Sequence, residues 1–296
     1  MRRAHTAPLL ALVAVTAIWG YTFVPVQNAV ALYPLFAFLA VRFGISTLVL
    51  APFALRPLLR LPRAGVLAGL GAGVLLAAAY GLQTAGLELT TVSSTGFITG
   101  LYVVLTPVIA LVLFRTPVPA AAWTGVALAL VGLLLLNGVP GGSALGNLLV
   151  LANAVAQSFQ IASMERFAPR YDARALTFLQ MAVSCVGFTV IAVSRGELSV
   201  PHERSVWFAL AVTGVFAGAL GYLVATWVQA RTTAARAALV FTLEAPFAAL
   251  FGVALLSERL GWLGWTGCAV MLAGILLAEP AAAATLRRLV GRPGAA

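Results

Sequence analysis

The sequence predicts an all-α membrane protein whose ten transmembrane helices form two inverted five-helix repeats. Three observations carry that expectation. Of the 296 residues, 62% are hydrophobic and 9% charged, with a mean hydropathy of +1.03, whereas a soluble domain needs about a quarter charged residues to cover its surface. The arginines gather at alternate ends of successive apolar runs. The two halves of the chain also match one another at a constant shift.

A span of the bilayer takes about 20 apolar residues. Apolar runs bounded by turn and charge signals fall at 8–26, 34–55, 64–84, 92–114 and 120–136, then at 145–163, 173–193, 206–228, 234–256 and 262–278. Arg2 and Arg3 ahead of the run that begins at Pro8 resemble a signal peptide. Equally apolar runs follow throughout, so an uncleaved first span is expected. With the N-terminus in the cytoplasm, fourteen of the 18 basic residues lie in inside segments, three (Arg195, Arg204 and Arg259) lie outside, and Arg42 lies within a span. Positive loops stay inside. The split therefore predicts ten spans with both termini cytoplasmic. An Ala-, Gly- and Arg-rich chain without lysine has the composition of a high-GC genome, and on composition alone a bacterial source, with the inner membrane as its location, is expected.

At a shift of 142 residues, Thr90-Thr91 aligns with Thr232-Thr233, and WTGVALALVGLLL from Trp123 aligns with WTGCAVMLAGILL from Trp265, with eight of thirteen positions identical. Gly132 and Gly274 fall in register. Five spans per half is an odd number, so the second copy sits upside down relative to the first, an architecture of secondary transporters and some channels. The expected organisation is a first repeat over residues 1–137, an outside linker over 138–146, a second, inverted repeat over 147–279, and a short basic cytoplasmic tail over 280–296.

The residues resemble the EamA-type branch of the drug/metabolite transporter superfamily over almost the whole chain. The resemblance rests on Trp19-Gly20, on Arg42 in FLAVRFGIS, on Thr91 with Pro107, and on LEAPFAALFGVALLSERL with Glu244, Pro246 and Glu258. It implies a ten-helix inverted-repeat carrier of small metabolites, amino acids or drugs, commonly working outward. The first half departs from the pattern where Arg115-Thr116-Pro117 stands in place of an acid matching Glu258.

Other classes are disfavoured. The formal charge of +10 comes from arginines scattered between apolar runs, so no nucleic-acid partner is expected. No lysine is present, so no phosphate-cradling P-loop exists. Cys185 and Cys268 lie in apolar runs and read as packing residues rather than a disulfide or metal site. No cofactor, metal or enzymatic motif is expected. The expected partners are a small-molecule substrate and the lipid bilayer, and a monomer is favoured over an oligomer.

Candidate transport residues follow from the cost of polarity in a span. An ionisable group deep in the bilayer costs from about 2.5 kcal/mol upward unless it is paired or faces water. By residue count, Arg42 and Glu244 lie at nearly the same depth, which predicts a midplane ion pair or a protonatable Glu244 coupled to proton movement. A permanent structural pair, or an Arg42 that snorkels outward, is the alternative. Pro107 and Pro246 each remove an intrahelical bond and free the carbonyls of Val103 and Thr242, as moving hinges or static kinks. Tyr80, Gln83, Tyr102, Gln157, Gln160 and Tyr222 are candidate substrate contacts. Gln157 and Gln160 share a helical face, and Tyr80 and Tyr222 occupy roughly corresponding places in the two repeats. Gly65, Gly69 and Gly73, like Gly214 and Gly218, are spaced for close helix packing. The expected function is secondary active export of amino acids or related small metabolites by alternating access. A multidrug or lipophilic-cation exporter and a passive channel are the alternatives.

Overall fold

The structure is a computed structural model that describes residues 3–87, 89–90, 92–137, 143–256 and 260–278. Thr91, Glu258, linker residues 138–142 and the tail at 280–296 lie outside the described residues. Regular structure among the described residues is helical throughout, in the order α1 (Arg3–Val30), α2 (Leu35–Leu59), α3 (Arg63–Leu87), α4 (Val92–Gly100), α5 (Tyr102–Phe114), α6 (Ala120–Asn137), α7 (Ala144–Phe167), α8 (Ala173–Ser194), α9 (Arg204–Ala211), a π-helical stretch Val212–Gly221, α10 (Tyr222–Gln229), α11 (Ala234–Phe241), α12 (Glu244–Leu256) and α13 (Trp262–Ala278). Within that set, 8 helical runs are long and apolar enough to cross a membrane, and Ala120–Leu136 and Trp262–Ala278 are shorter apolar helices.

Helix starts follow from capping. Ser143, Asp172 and Thr233 each accept a hydrogen bond from a backbone N–H in the first turn of α7, α8 and α11, satisfying donors that a helix N-terminus otherwise leaves open. Arg115 closes α5 in the left-handed conformation, at φ 52°.

Two expected spans are not continuous. The run at 92–114 breaks at Leu101, and the run at 234–256 breaks at Thr242 and Leu243. These breaks are 142 residues apart, at equivalent points of the two repeats, yet only the second has a proline three residues on: the position equivalent to Pro246 is Val104, and Pro107 comes a turn later. The break therefore belongs to the repeat and not to the proline. Nor is the Thr242 carbonyl bare, since the Ala245 N–H donates to it at 3.2 Å. Pro107 sits inside α5, beyond the break.

The π-helical stretch has the opposite cause. Its wide turns leave carbonyls that a neighbour must satisfy. Ser46 donates to the Gly214 carbonyl at 2.7 Å and the Trp19 indole N–H donates to the Ala217 carbonyl at 3.0 Å. Gly214 lets α2 approach, because a Cβ there would meet the Arg42 carbonyl at 3.1 Å. On α3, Gly73 packs against α8 in the same way, with the Leu179 carbonyl 3.2 Å from a Cβ added to it.

The Trp-Thr-Gly helices α6 and α13 pack on each other through their matching glycines. A Cβ on Gly132 would lie 2.7 Å from the Gly267 carbonyl, and one on Gly125 would lie 2.8 Å from the Gly274 carbonyl. Adding the repeat shift to one partner and subtracting it from the other turns the first contact into the second. A twofold relation between the halves does just that.

Candidate substrate site

Between α1, α2, α3, α7 and the broken pairs α4–α5 and α11–α12 lies a cavity of about 390 Å³. It runs from Phe241 and Glu244, mid-bundle, to Val30, Leu35 and Leu87, at the end where α1 stops and α2 starts. Its size is within the roughly 300–1,000 Å³ of small-molecule sites.

Arg42 is buried, at 6% exposure, on the cavity wall. Aromatic faces, not a carboxylate, hold its guanidinium: the charge lies 5.1 Å from the Tyr80 ring centre and 5.6 Å from that of Phe43. Such contacts are worth about 0.5–2 kcal/mol each. Its Nη2 donates to the Tyr80 hydroxyl at a long 3.5 Å, and its buried Nε has no hydrogen-bond partner. The Tyr222 hydroxyl donates to that of Tyr80 at 3.2 Å. These two tyrosines are 142 positions apart, which is the repeat shift, so their meeting point lies on the twofold relation between the halves.

Glu244 opens α12 and lines the cavity floor. A helix N-terminus is a favourable place for a negative charge. Ion pairs among the described residues are Arg174–Asp172 and Arg195–Glu197. The direct pair expected between Arg42 and Glu244 is therefore not formed. Both charges face one cavity from different helices, because the break before α12 sets Glu244 at the floor while α2 carries Arg42 up one wall.

Tyr102 and Trp19 complete the floor. The Trp19 ring lies 5.2 Å from Tyr222 and 5.4 Å from Phe241. Gly20 beside it is required by close packing, since a Cβ there would come within 2.6 Å of Phe247 Cβ and 2.9 Å of the Glu244 carbonyl. A hydrogen-bonded cluster from α3, α4 and α7 also lines the cavity. Gln83 and Asn153 both donate to the Thr99 hydroxyl, at 3.2 and 3.0 Å, and Gln157 lines the same space.

Of the residues singled out by sequence, Arg42, Tyr80, Gln83, Tyr102, Gln157, Tyr222 and Glu244 are brought to this one cavity. Gln160, Pro107 and Pro246 are not among its lining residues. Gln160 turns away from Gln157 and donates to Gln180 of α8 at 2.7 Å. Trp19, Thr99, Asn153 and Phe241 line the cavity and were not expected there. A signal existed for Asn153, four residues before Gln157 and so on its helical face. None existed for Phe241, an apolar residue in an apolar run.

The profile of the EamA-like transporter family matches residues 6–138 and 144–278, one copy in each half. The chain belongs to the EamA-like transporter family. As a member it is a multi-pass membrane transporter, a protein of the drug/metabolite superfamily that works in a bilayer on a small-molecule substrate. An uncharacterized transporter of Archaeoglobus fulgidus is 31% identical over 280 residues, covering 94% of this chain and 86% of the relative. A protein of known crystal structure, 20% identical, has the same fold, with a TM-score of 0.79 over 96% of this chain and 99% of its own.

Proposed function

We propose that the protein is a secondary active carrier that exports amino acids or related zwitterionic metabolites across the bacterial inner membrane by alternating access. The reading takes the eight long helical runs and the two shorter ones as ten spans in two inverted repeats, with both termini cytoplasmic, an orientation that the arginine distribution supports. On that orientation the cavity opens outward. The observation that carries the substrate class is the presence of Arg42 and Glu244 in one cavity without a bond between them. Arg42, with an unpartnered Nε, offers donors to a carboxylate. Glu244, which lines the cavity together with Trp19, Tyr102 and Phe241, offers an acceptor to an ammonium group, and the Gln83–Thr99–Asn153 cluster offers hydrogen bonds to a side chain.

The same unpaired Glu244 among aromatic rings also supports the second reading, a lipophilic-cation exporter. Reconstituted vesicles separate the two. A panel of amino acids and quaternary ammonium compounds is tested with and without an imposed pH gradient, on the parent and on Arg42→Gln and Glu244→Gln. A zwitterion carrier loses counterflow by tenfold or more in both variants. A cation carrier loses it in Glu244→Gln alone and moves the ammonium compounds. If Glu244 also carries the coupling proton, Glu244→Gln abolishes gradient-driven accumulation while sparing exchange at equal pH. Accumulation at the parent level by a variant carrying both Arg42→Gln and Glu244→Gln would refute that role.

A further inference from the structure

The twofold relation maps each residue lining the open half of the bundle onto an equivalent one elsewhere. Four pairs map cavity to cavity: Tyr80 with Tyr222, Tyr102 with Glu244, Trp19 with Ile161, and Thr99 with Phe241. Exchange of conformation between the repeats returns these pairs to the same space, so they face the substrate whichever way the protein is open. The remaining lining residues behave otherwise. Leu35 and Phe38 of α2 and Thr84 and Leu87 of α3 line the open path, and their equivalents are Thr177 and Gln180 of α8 and Thr226 and Gln229 of α10.

These four equivalents are closed off together. They are 0%, 0%, 1% and 3% exposed. The Thr177 hydroxyl donates to that of Thr226 at 3.1 Å across the seam between α8 and α10, and Gln180 accepts from Gln160 of α7. The Gln229 amide nitrogen is buried with no hydrogen-bond partner, and a buried polar group left unpaired calls for an explanation. Three of the four positions are polar where the open path is apolar: Thr177 for Leu35, Gln180 for Phe38, and Gln229 for Leu87.

Resting on the carrier reading above, we propose that the buried seam of Thr177, Gln180, Thr226 and Gln229 is the second half of the substrate path, shut in this structure and opened to the face beside Arg231 when the repeats exchange conformation. Its amides and hydroxyls bind water and a hydrogen-bonding, water-soluble substrate on that side. The orphaned Gln229 amide acquires its partner in the open state.

The test uses the full chain in proteoliposomes, with Cys185→Ser and Cys268→Ser as background. Single variants Thr226→Cys and Gln229→Cys are treated with an impermeant maleimide on either face, with Leu87→Cys as the open-path comparator and the fully buried Ala209→Cys as the packed control. Thr226→Cys and Gln229→Cys are expected to react from the Arg231 face at least tenfold faster than Ala209→Cys, while Leu87→Cys reacts from the opposite face. Rates no faster than that of Ala209→Cys, or reaction from the same face as Leu87→Cys, overturn the proposal. A second measurement does not depend on labelling. In Thr177→Cys with Thr226→Cys, oxidation is expected to cut amino-acid counterflow at least tenfold, with recovery on reduction; unchanged counterflow in the cross-linked protein overturns the proposal. Counterflow by the unmodified parent tests the carrier reading separately. Labelling without parent counterflow supports a two-sided path and rejects the carrier alone, and parent counterflow without labelling rejects the path alone.

Discussion

Gly132→Ala tests whether the α6–α13 seam is set by backbone contact. The added Cβ would lie 2.7 Å from the Gly267 carbonyl oxygen and 2.9 Å from the Met271 nitrogen, where ordinary contact begins at 3.4 Å. The Met271 Cγ lies nearer still and can rotate away, but these two neighbours are main chain, so relief requires the helices to part by roughly half an ångström or more, at an overpacking cost of about 1–3 kcal/mol. Against it stands the gain of about 1 kcal/mol from alanine's helix propensity. Gly187→Ala, in α8, meets nothing within 4 Å and collects that gain without the clash. The difference between the two variants is therefore about 1–3 kcal/mol, or roughly 2–12 °C in Tm at about 2–4 °C per kcal/mol. Thermal unfolding of the purified protein in detergent measures it. The double variant Gly132→Ala, Gly267→Ala should cost less than the sum of its parts, because the first methyl already separates the helices. A Gly132→Ala protein that melts with or above Gly187→Ala refutes the reasoning.

Tyr222→Phe removes one membrane hydrogen bond, worth about 0.6 kcal/mol, while Tyr80→Phe also strips Arg42 of its acceptor and costs about 1–3 kcal/mol; melting temperatures should fall in the order parent, Tyr222→Phe, Tyr80→Phe, and the reverse order rejects this account. Pro246→Ala should leave the α11–α12 break in place, since the equivalent break at Leu101 forms with Val104 at the position corresponding to Pro246; cross-linking distances across Leu243 that lengthen to those of a continuous helix would show otherwise. The Arg174 guanidinium beside Asp172 holds its carboxyl below the ordinary value of 3.8. That stabilisation is present above the ordinary value and lost as pH falls through the lowered one, so the Tm advantage of the parent over Asp172→Asn, about 1 kcal/mol or less, should shrink between pH 6 and pH 3 and not grow.

Helix positions are legible in this sequence because hydropathy reports burial in lipid directly. The runs at 120–136 and 262–278 coincide with α6 and α13 to within a residue, and the glycines that reveal the duplication are those that touch. Charge in a span is legible for a similar reason: Arg42 and Glu244 stand out because their cost demands a cavity or a partner. What the sequence conceals is relative rotation. Gln157 and Gln160 share a helical face to within one turn, yet one lines the cavity and the other bonds α8. The π-helical stretch is hidden as well, since its carbonyls are satisfied by Ser46 and Trp19 from other helices and no local pattern announces them.

The short helices α6 and α13 carry a consequence for the surrounding lipid. Seventeen or eighteen residues at 1.5 Å each reach only about 26 Å, against a hydrocarbon core of about 30 Å. On the proposed ten-span arrangement, in which both cross the membrane, the bilayer beside this pair must thin, at a cost of fractions of a kcal/mol per ångström, or the pair must be pulled at its ends, where Trp262 and Trp265 stand exposed. On that arrangement one flank of the transporter reads membrane thickness, and acyl-chain length becomes a mechanical load on the seam that joins its two halves.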